Sequence, residues 1–223
     1  MEQSNKQSIT RNRIIGLIVP FCLVLVSLTG CYFYLSSFFD KIELHLFLNQ
    51  FNNAKLDLPF IVLTKMGSGV LFPVFALFFS NRNYRAGISI LLTGFVILLA
   101  AGLLKNFVFP DYLRPSAFLE DFVYKKAEGF TLYTNHSFPS GHAMSAFGFC
   151  TVLALQLNRS LSTWLLALLA VLMAYSRVYL NQHFMVDIVV GSWIGFILAL
   201  SVYLWSKTWK SSFWERKLNL SKI

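Results

Sequence analysis

The stretch LSTWLLALLAVLMAYSRVYLNQHFMVDIVVGSWIGFILALSVYLW, residues 161–205, decides how the chain is read. It contains two apolar runs, 161–180 and 186–205. Each has about the 20 residues that a helix needs to cross a bilayer. At their facing ends stand Ser176, Arg177, His183 and Asp187, and ionisable groups at the edge of a membrane span are expensive enough to be a functional hint.

Working outward, four more runs qualify as spans: 14–35, 60–79, 86–109 and 140–157. Backbone polar groups in lipid must be satisfied within their own segment, so all six are read as helices. Composition agrees. Of the 223 residues 56% are hydrophobic and 13% charged, well below the roughly 25% charge of a soluble domain. A water-soluble domain of this size could not bury so much apolar surface. The expected fold is all-α: a six-transmembrane-helix bundle forming one domain over residues 1–223, with no internal repeat.

The net charge of +9 is distributed between apolar segments, which fits anionic headgroups and membrane orientation. The signatures of nucleic-acid binders are absent, so no nucleic-acid partner is expected. With the N-terminus inside, eleven Lys and Arg fall in inner segments and seven in outer ones, with Lys65 left within the second span. Both termini are therefore placed in the cytoplasm. Tyr32, Tyr34, Trp205 and Trp209 suit the aromatic belts at the two interfaces. Lys65 is read as snorkelling to the outer headgroups. Cys22, Cys31 and Cys150 all lie in apolar runs and are read as small apolar residues. Leu28-Thr29-Gly30-Cys31 resembles a lipoprotein cleavage site, but the apolar run continues to Leu35, so an ordinary spanning helix is expected.

Three clusters fall at the outer ends of spans three to six: Lys105 with Arg114-Pro115; Pro139-Ser140-Gly141-His142; and Ser176-Arg177 with His183 and Asp187. Six spans could have scattered them over two faces, yet the assigned orientation puts all three on one. His183 and Asp187, four apart, share a helix face. The carboxylate can hold one ring nitrogen protonated and aim the other outward, which prepares a histidine as nucleophile or base. Arg177 offers a fork for phosphate oxygens. Pro139-Ser140-Gly141 reads as a helix start whose serine caps and whose glycine lets a ligand approach. Free N–H groups at such a start bind anions, and His142 lies in the same first turn. Lys105 and Arg114 add positive charge. Each feature alone has a bland reading as a surface pair, a simple cap or a snorkelling cation. Together they make an anion pocket with two histidines, suited to phosphoryl transfer.

These clusters resemble the three-part signature of the type 2 phosphatidic acid phosphatase (PAP2) superfamily, which includes membrane lipid phosphatases and soluble vanadium haloperoxidases. The second and third parts match in full. The first departs: eight residues separate Lys105 from Arg114, where the common form has six, and two extra residues are expected to bulge out. The resemblance covers spans three to six. It implies that His183 attacks phosphorus to form a phosphohistidine, Asp187 orients His183, and His142 protonates the leaving group and then activates water. Lys105, Arg114, Ser140, Gly141 and Arg177 would hold the phosphate oxygens. It also implies a multi-pass protein of the bacterial inner membrane with its active site facing the periplasm. The substrates it implies are phosphorylated lipids: undecaprenyl pyrophosphate, phosphatidylglycerol phosphate, phosphatidic acid or the phosphates of lipid A.

No metal or other cofactor is expected, since three cationic side chains already offset phosphate charge and two-metal phosphatases need clustered carboxylates. Asp111, Glu120, Asp121 and Glu128 share the outer loop at no recognisable metal spacing. His45 is read as structural, in a stretch suited to an interfacial helix; His136, three residues before the second cluster, is left unassigned, with the entrance to the site as its minority reading. Phe118, Phe122, Tyr124, Phe130 and Tyr133 are offered as an access path for acyl or prenyl chains. No obligate protein partner is evident. A lipid phosphotransferase is the nearest alternative, separated by whether free phosphate is released. A transporter is the alternative of another class, but it would place ionisable groups near the bilayer midplane, where only Lys65 comes close.

Overall fold

The computed structural model describes residues 2–119 and 122–218. Glu120, Asp121 and Lys222 thus lie outside the described residues. Among the described residues eight α-helices follow one another: α1 (Glu2–Ser36), α2 (Lys41–Asn49), α3 (Ala54–Met66), α4 (Leu71–Ser80), α5 (Tyr84–Leu103), α6 (Gly141–Leu157), α7 (Ser160–Tyr179) and α8 (Met185–Ser206). A π-helical turn, Leu104–Val108, extends α5, and short 3-10 turns occupy Pro115–Ala117 and Ser212–Glu215. Among the described residues there is no strand.

α6 is the axle of the bundle. It packs against α5, α7 and α8, and residues from Ala143 to Leu155 are buried almost without interruption. Small residues allow this. A Cβ at Gly195 of α8 would overlap the backbone of Met144, and one at Gly191 would lie 2.6 Å from the Ser140 carbonyl. The two backbones therefore touch, the close approach by which helices associate in lipid. Large apolar side chains such as Val26, Leu98, Leu165 and Ile197 face outward and are more than half exposed. In water such a surface would be a liability; in a bilayer it is the solvent-facing side.

Among the described residues four helices are long and apolar enough to cross a membrane: Arg11–Ser36, Tyr84–Val108, Ser160–Tyr179 and Met185–Ser206. The protein is an integral membrane protein. α6 has 17 residues and is sheathed by its neighbours. The expected second span, 60–79, is not one straight helix. It is broken into α3 and α4 with a bend of 57°. Gly67 caps α3, the Ser68 hydroxyl donates to the Lys65 carbonyl at 2.6 Å, and Gly69 takes φ +91°, a conformation open to glycine and poor for other residues. Two glycines two positions from each other, Gly67 and Gly69, permitted the break, and a hydropathy count cannot see it. Lys65, in the last turn of α3, is exposed.

The stretch expected as an outer loop, 36–59, contains α2 and the start of α3. Asp40 caps α2 by accepting from the Ile42 and Glu43 N–H groups, and Glu43 accepts in return from the Asp40 N–H at 2.9 Å. Cys31 lies inside α1, which runs on to Ser36.

The contact between α6 and α8 makes a direct prediction. Gly195→Ala should destabilise the protein by about 1–3 kcal/mol through overpacking, whereas Gly102→Ala, with nothing within 4 Å of its added Cβ, should be neutral or mildly stabilising. Thermal unfolding of the two variants in detergent checks this; equal melting temperatures would contradict it.

Candidate active site

The site forms where α5 ends, α6 begins, and the α7–α8 turn passes between them. His183 was expected to lie on a helix with Asp187. Instead it sits in the turn, two residues before α8 starts at Met185. The pairing survives because Asp187 occupies the first turn of α8 and points back over the preceding residues. Its Oδ2 accepts the Phe184 N–H at 3.0 Å and faces His183 Nδ1 at 3.3 Å. The Ser137 hydroxyl donates to the same oxygen and stands 3.4 Å from His183 Nδ1. With Nδ1 committed to this group, Nε2 is the ring nitrogen left for chemistry.

His183 and Asp187 are both almost fully buried. Burial, followed by the charges of Arg114, Arg177 and Lys105, holds the His183 pKa well below the usual histidine range. The ring is therefore neutral at physiological pH, the state a nitrogen nucleophile requires.

Ser140 caps α6. Its Oγ accepts the Ala143 N–H at 3.4 Å, and its own N–H donates to the Asp187 carbonyl at 3.0 Å. The start of α6 is thus bonded to the start of α8, and the His142 ring lies within reach of the charges of Arg177, Lys105 and Arg114.

The three cations converge on the same place, each held by neutral oxygen. Lys105 lies in the π-helical turn and donates from Nζ to the His136 carbonyl at 3.0 Å. Arg114 donates from Nε to the Asn135 carbonyl at 2.8 Å, and from Nη1 to the carbonyl and side-chain oxygens of Gln182 at 3.1 and 3.0 Å. Arg177 donates to Thr64 Oγ1 at 2.6 Å and to Gln182 Oε1 at 3.4 Å, and its buried Nε has no partner among the described residues. Burial pushes the Arg114 pKa down from its usual value. The extra residues between Lys105 and Arg114 are absorbed by an aromatic cluster. Phe109 and Tyr112 pack on Phe138 with ring centroids 4.8 and 5.2 Å away.

All eight residues expected from the sequence thus gather at one end of the bundle. His136 is also there, its Nδ1 3.3 Å from the Lys105 carbonyl. His45 is buried edge-on to Phe184 and is 2.9 Å from Asn181 Oδ1, so it backs the α7–α8 turn from α2. Ser137, Gln182 and Thr64 belong to the site without having been expected. Ser137 and Gln182 adjoin recognised motifs, a signal that could have found them. Thr64 lies 113 residues from Arg177, and no local pattern announces it. Among the described residues, no group of three His, Cys, Asp or Glu side chains is placed to hold a metal ion.

An apolar groove of about 670 Å³ opens beside this cluster. It runs between α4, α5 and α6, bounded by Phe72, Leu91, Phe95, Leu98 and Ala101, and by Gly141, His142 and Ser145 at its polar end. The aromatic residues of the 110–138 loop do not line it. Phe118 packs towards Phe184, and Phe130 packs beside Leu180 and Tyr179. The cavity lies among the helices, and the break between α3 and α4 lines it with Gly67, Ser68 and Gly69.

The sequence profile described as the PAP2 superfamily matches residues 84–211, which include all three clusters. The chain belongs to the PAP2 superfamily. With its membrane helices and its lipid-phosphatase relatives, it is a PAP2 membrane lipid phosphatase. An undecaprenyl-diphosphatase of Sulfolobus acidocaldarius is 31% identical over 164 residues, covering 70% of this chain and 76% of that protein. The crystal structure of LpxE from Aquifex aeolicus superposes with a TM-score of 0.64 at 28% identity, covering 74% of this chain and 95% of that one. A PAP2-type phosphatidylglycerolphosphate phosphatase from Bacillus subtilis shares the fold, with a TM-score of 0.59 at 19% identity over 90% and 98% of the two chains.

The depressed His183 pKa predicts a pH dependence with a defined sign. Below about pH 6.5 the unfolded chain protonates this histidine while the native state does not, so stability is complete above that pH and falls as pH drops below it. Histidine-selective NMR should show the His183 ring still neutral at pH 6. A midpoint at or above 6.5 would contradict the electrostatics described above.

Proposed function

We propose that this phosphatase hydrolyses the phosphate or diphosphate monoester of a membrane lipid through a phosphohistidine on His183. The observation that carries the reading is the groove: an apolar, chain-sized cavity whose polar end is His142. Along α5 it extends from Ile88 to Ala101, about 20 Å of helix. A hydrocarbon chain lying there would bring its phosphate to Lys105, Arg114 and Arg177.

In the proposed mechanism the neutral His183 Nε2 attacks phosphorus and the bond to the leaving oxygen breaks. His142, protonated, gives that oxygen its proton. Asp187 offsets the charge on the phosphohistidine ring, with Ser137 holding the carboxylate in place. His142, now neutral, takes a proton from water, whose oxygen attacks phosphorus. The P–N bond breaks, phosphate leaves and His183 is neutral again. The three cations and the first N–H groups of α6 at Gly141 and His142 stabilise the equatorial oxygens. No step needs a metal.

A polyprenyl diphosphate of the undecaprenyl type is the first candidate substrate, supported by the Sulfolobus relative. Phosphatidylglycerol phosphate, phosphatidic acid and lipid A phosphates follow. In this reading the chain is one domain over residues 1–223, with six crossings: α1, the broken α3–α4 pair, α5, α6, α7 and α8. Both termini are cytoplasmic and the site faces outward across the inner membrane, as the Lys and Arg bias supports.

Two measurements test the reading. Purified protein should release inorganic phosphate from a panel of phosphorylated lipids, fastest from the polyprenyl diphosphate and undiminished in excess chelator; loss of activity on chelation would refute the metal-free mechanism. His142→Ala given an aryl phosphate, whose leaving group needs no proton, should accumulate an acid-labile, alkali-stable phosphoenzyme that His183→Ala cannot form. A phosphoenzyme persisting in His183→Ala would rule out the proposed nucleophile.

A further inference from the structure

Gln182 stands between the two arginines and immediately before His183, and no motif requires it. It is fully buried. Its N–H donates to the Arg177 carbonyl at 2.8 Å, and its own carbonyl accepts from Arg114 Nη1 at 3.1 Å. The side-chain oxygen accepts from Arg114 Nη1 at 3.0 Å and Arg177 Nη2 at 3.4 Å, while Nε2 donates to the Thr131 carbonyl at 3.0 Å. The amide can point only one way: donors surround one end and a carbonyl the other. The turn that carries it is also fixed. Asn181, at φ +54°, accepts from Asn49 and donates to the Lys125 carbonyl.

The chemistry of this brace is specific. Two guanidinium groups brought close together repel, and more strongly away from water. A carboxylate between them would relieve the repulsion but would cancel the charge that a phosphate needs. A neutral amide oxygen orients both forks and leaves their charge intact. Arg114 needs such a brace more than Arg177 does. Arg177 is fixed within α7, but Arg114 precedes the short 3-10 turn at Pro115–Ala117 and follows a linker with two residues more than the common spacing. Its acceptors on Asn135 and Gln182, with the Tyr133 ring 5.6 Å from its Cζ, set where its fork lies.

We propose that Gln182 is a positioning residue that registers Arg114 against Arg177 for phosphate binding, compensating in this chain for the long Lys105–Arg114 linker. It touches no substrate and acts through the arginines. This rests on the reading above that Arg114 grips the phosphate.

The test is a double-mutant cycle of Arg114→Ala and Gln182→Leu, read as KM for a lipid phosphate and as the inhibition constant of inorganic phosphate. Gln182→Leu should raise both by about tenfold, the cost of lost hydrogen bonds to charged groups, with a much smaller change in kcat. Added to Arg114→Ala it should worsen either constant by at most about twofold, because the two changes remove one interaction. Independent losses that multiply, or a Gln182→Leu enzyme with unchanged KM and inhibition constant, would overturn the role of Gln182 while leaving the phosphatase reading intact. If Arg114→Ala itself leaves both constants unchanged, the reading on which the proposal rests fails first. Gln182→Glu covers the case in which Leu disrupts folding. It keeps the shape and the acceptor but puts a carboxylate between the forks. It should weaken phosphate inhibition at least as much as Gln182→Leu, and a Glu variant inhibited as strongly as wild type would also overturn the proposal.

Discussion

A carboxylate buried at the edge of a membrane bundle is costly unless it is hydrogen-bonded, and Asp187 is where this cost is met. One of its oxygens collects the Phe184 N–H, the Ser137 hydroxyl and the His183 ring, while its main-chain carbonyl takes the Ser140 N–H. These bonds join the 110–138 loop, the start of α6 and the start of α8. Removing the carboxylate would leave the histidine without its orienting partner, the serine without an acceptor and the α8 terminus without its cap. The geometry proposed for phosphoryl transfer is thus also what holds this end of the bundle together.

The rest of the fold serves that junction. Gly191 and Gly195 bring α8 against α6 so closely that the Asp187 carbonyl reaches Ser140. α5 delivers Lys105 on a π-helical turn, the kind of local irregularity that often marks a functional site. The break between α3 and α4 places Gly67 beside the His142 carbonyl and lines the apolar groove. α2 closes the site from behind through His45, Asn49 and the Lys125 segment, which donates from Nζ to the carbonyls of Gln50 and Asn52. Polar chemistry is therefore enclosed on the water side, and apolar access is left on the lipid side.

Much of this was legible in the sequence because membranes simplify the reading. Length and apolarity locate helices such as α5, α7 and α8 within a few residues, and the motif residues sit at fixed distances from helix ends. What escaped depends on backbone conformation or on distance along the chain. The Gly67–Gly69 break is invisible to hydropathy, since residues 60–79 are as apolar as a straight span. His183 lies in a turn because α7 ends at Tyr179 and Asn181 adopts a positive φ, which four-residue spacing alone does not reveal. Thr64, Ser137 and Gln182 are uncharged and acquire meaning only from the charged groups they meet. The groove was sought in the aromatic outer loop, whereas the packing of α4, α5 and α6 creates it.

The central claim is that Lys105, Arg114 and Arg177 grip one phosphoryl group in front of His183, beside His142. An experimental structure of the protein in a lipid nanodisc with bound inorganic phosphate tests it most directly. The account predicts phosphorus in line with His183 Nε2, its oxygens bonded to the three cations and the start of α6, and His142 on the opposite side of the anion. Phosphate bound away from His183, or bound with the His142 ring turned out of the site, would contradict it.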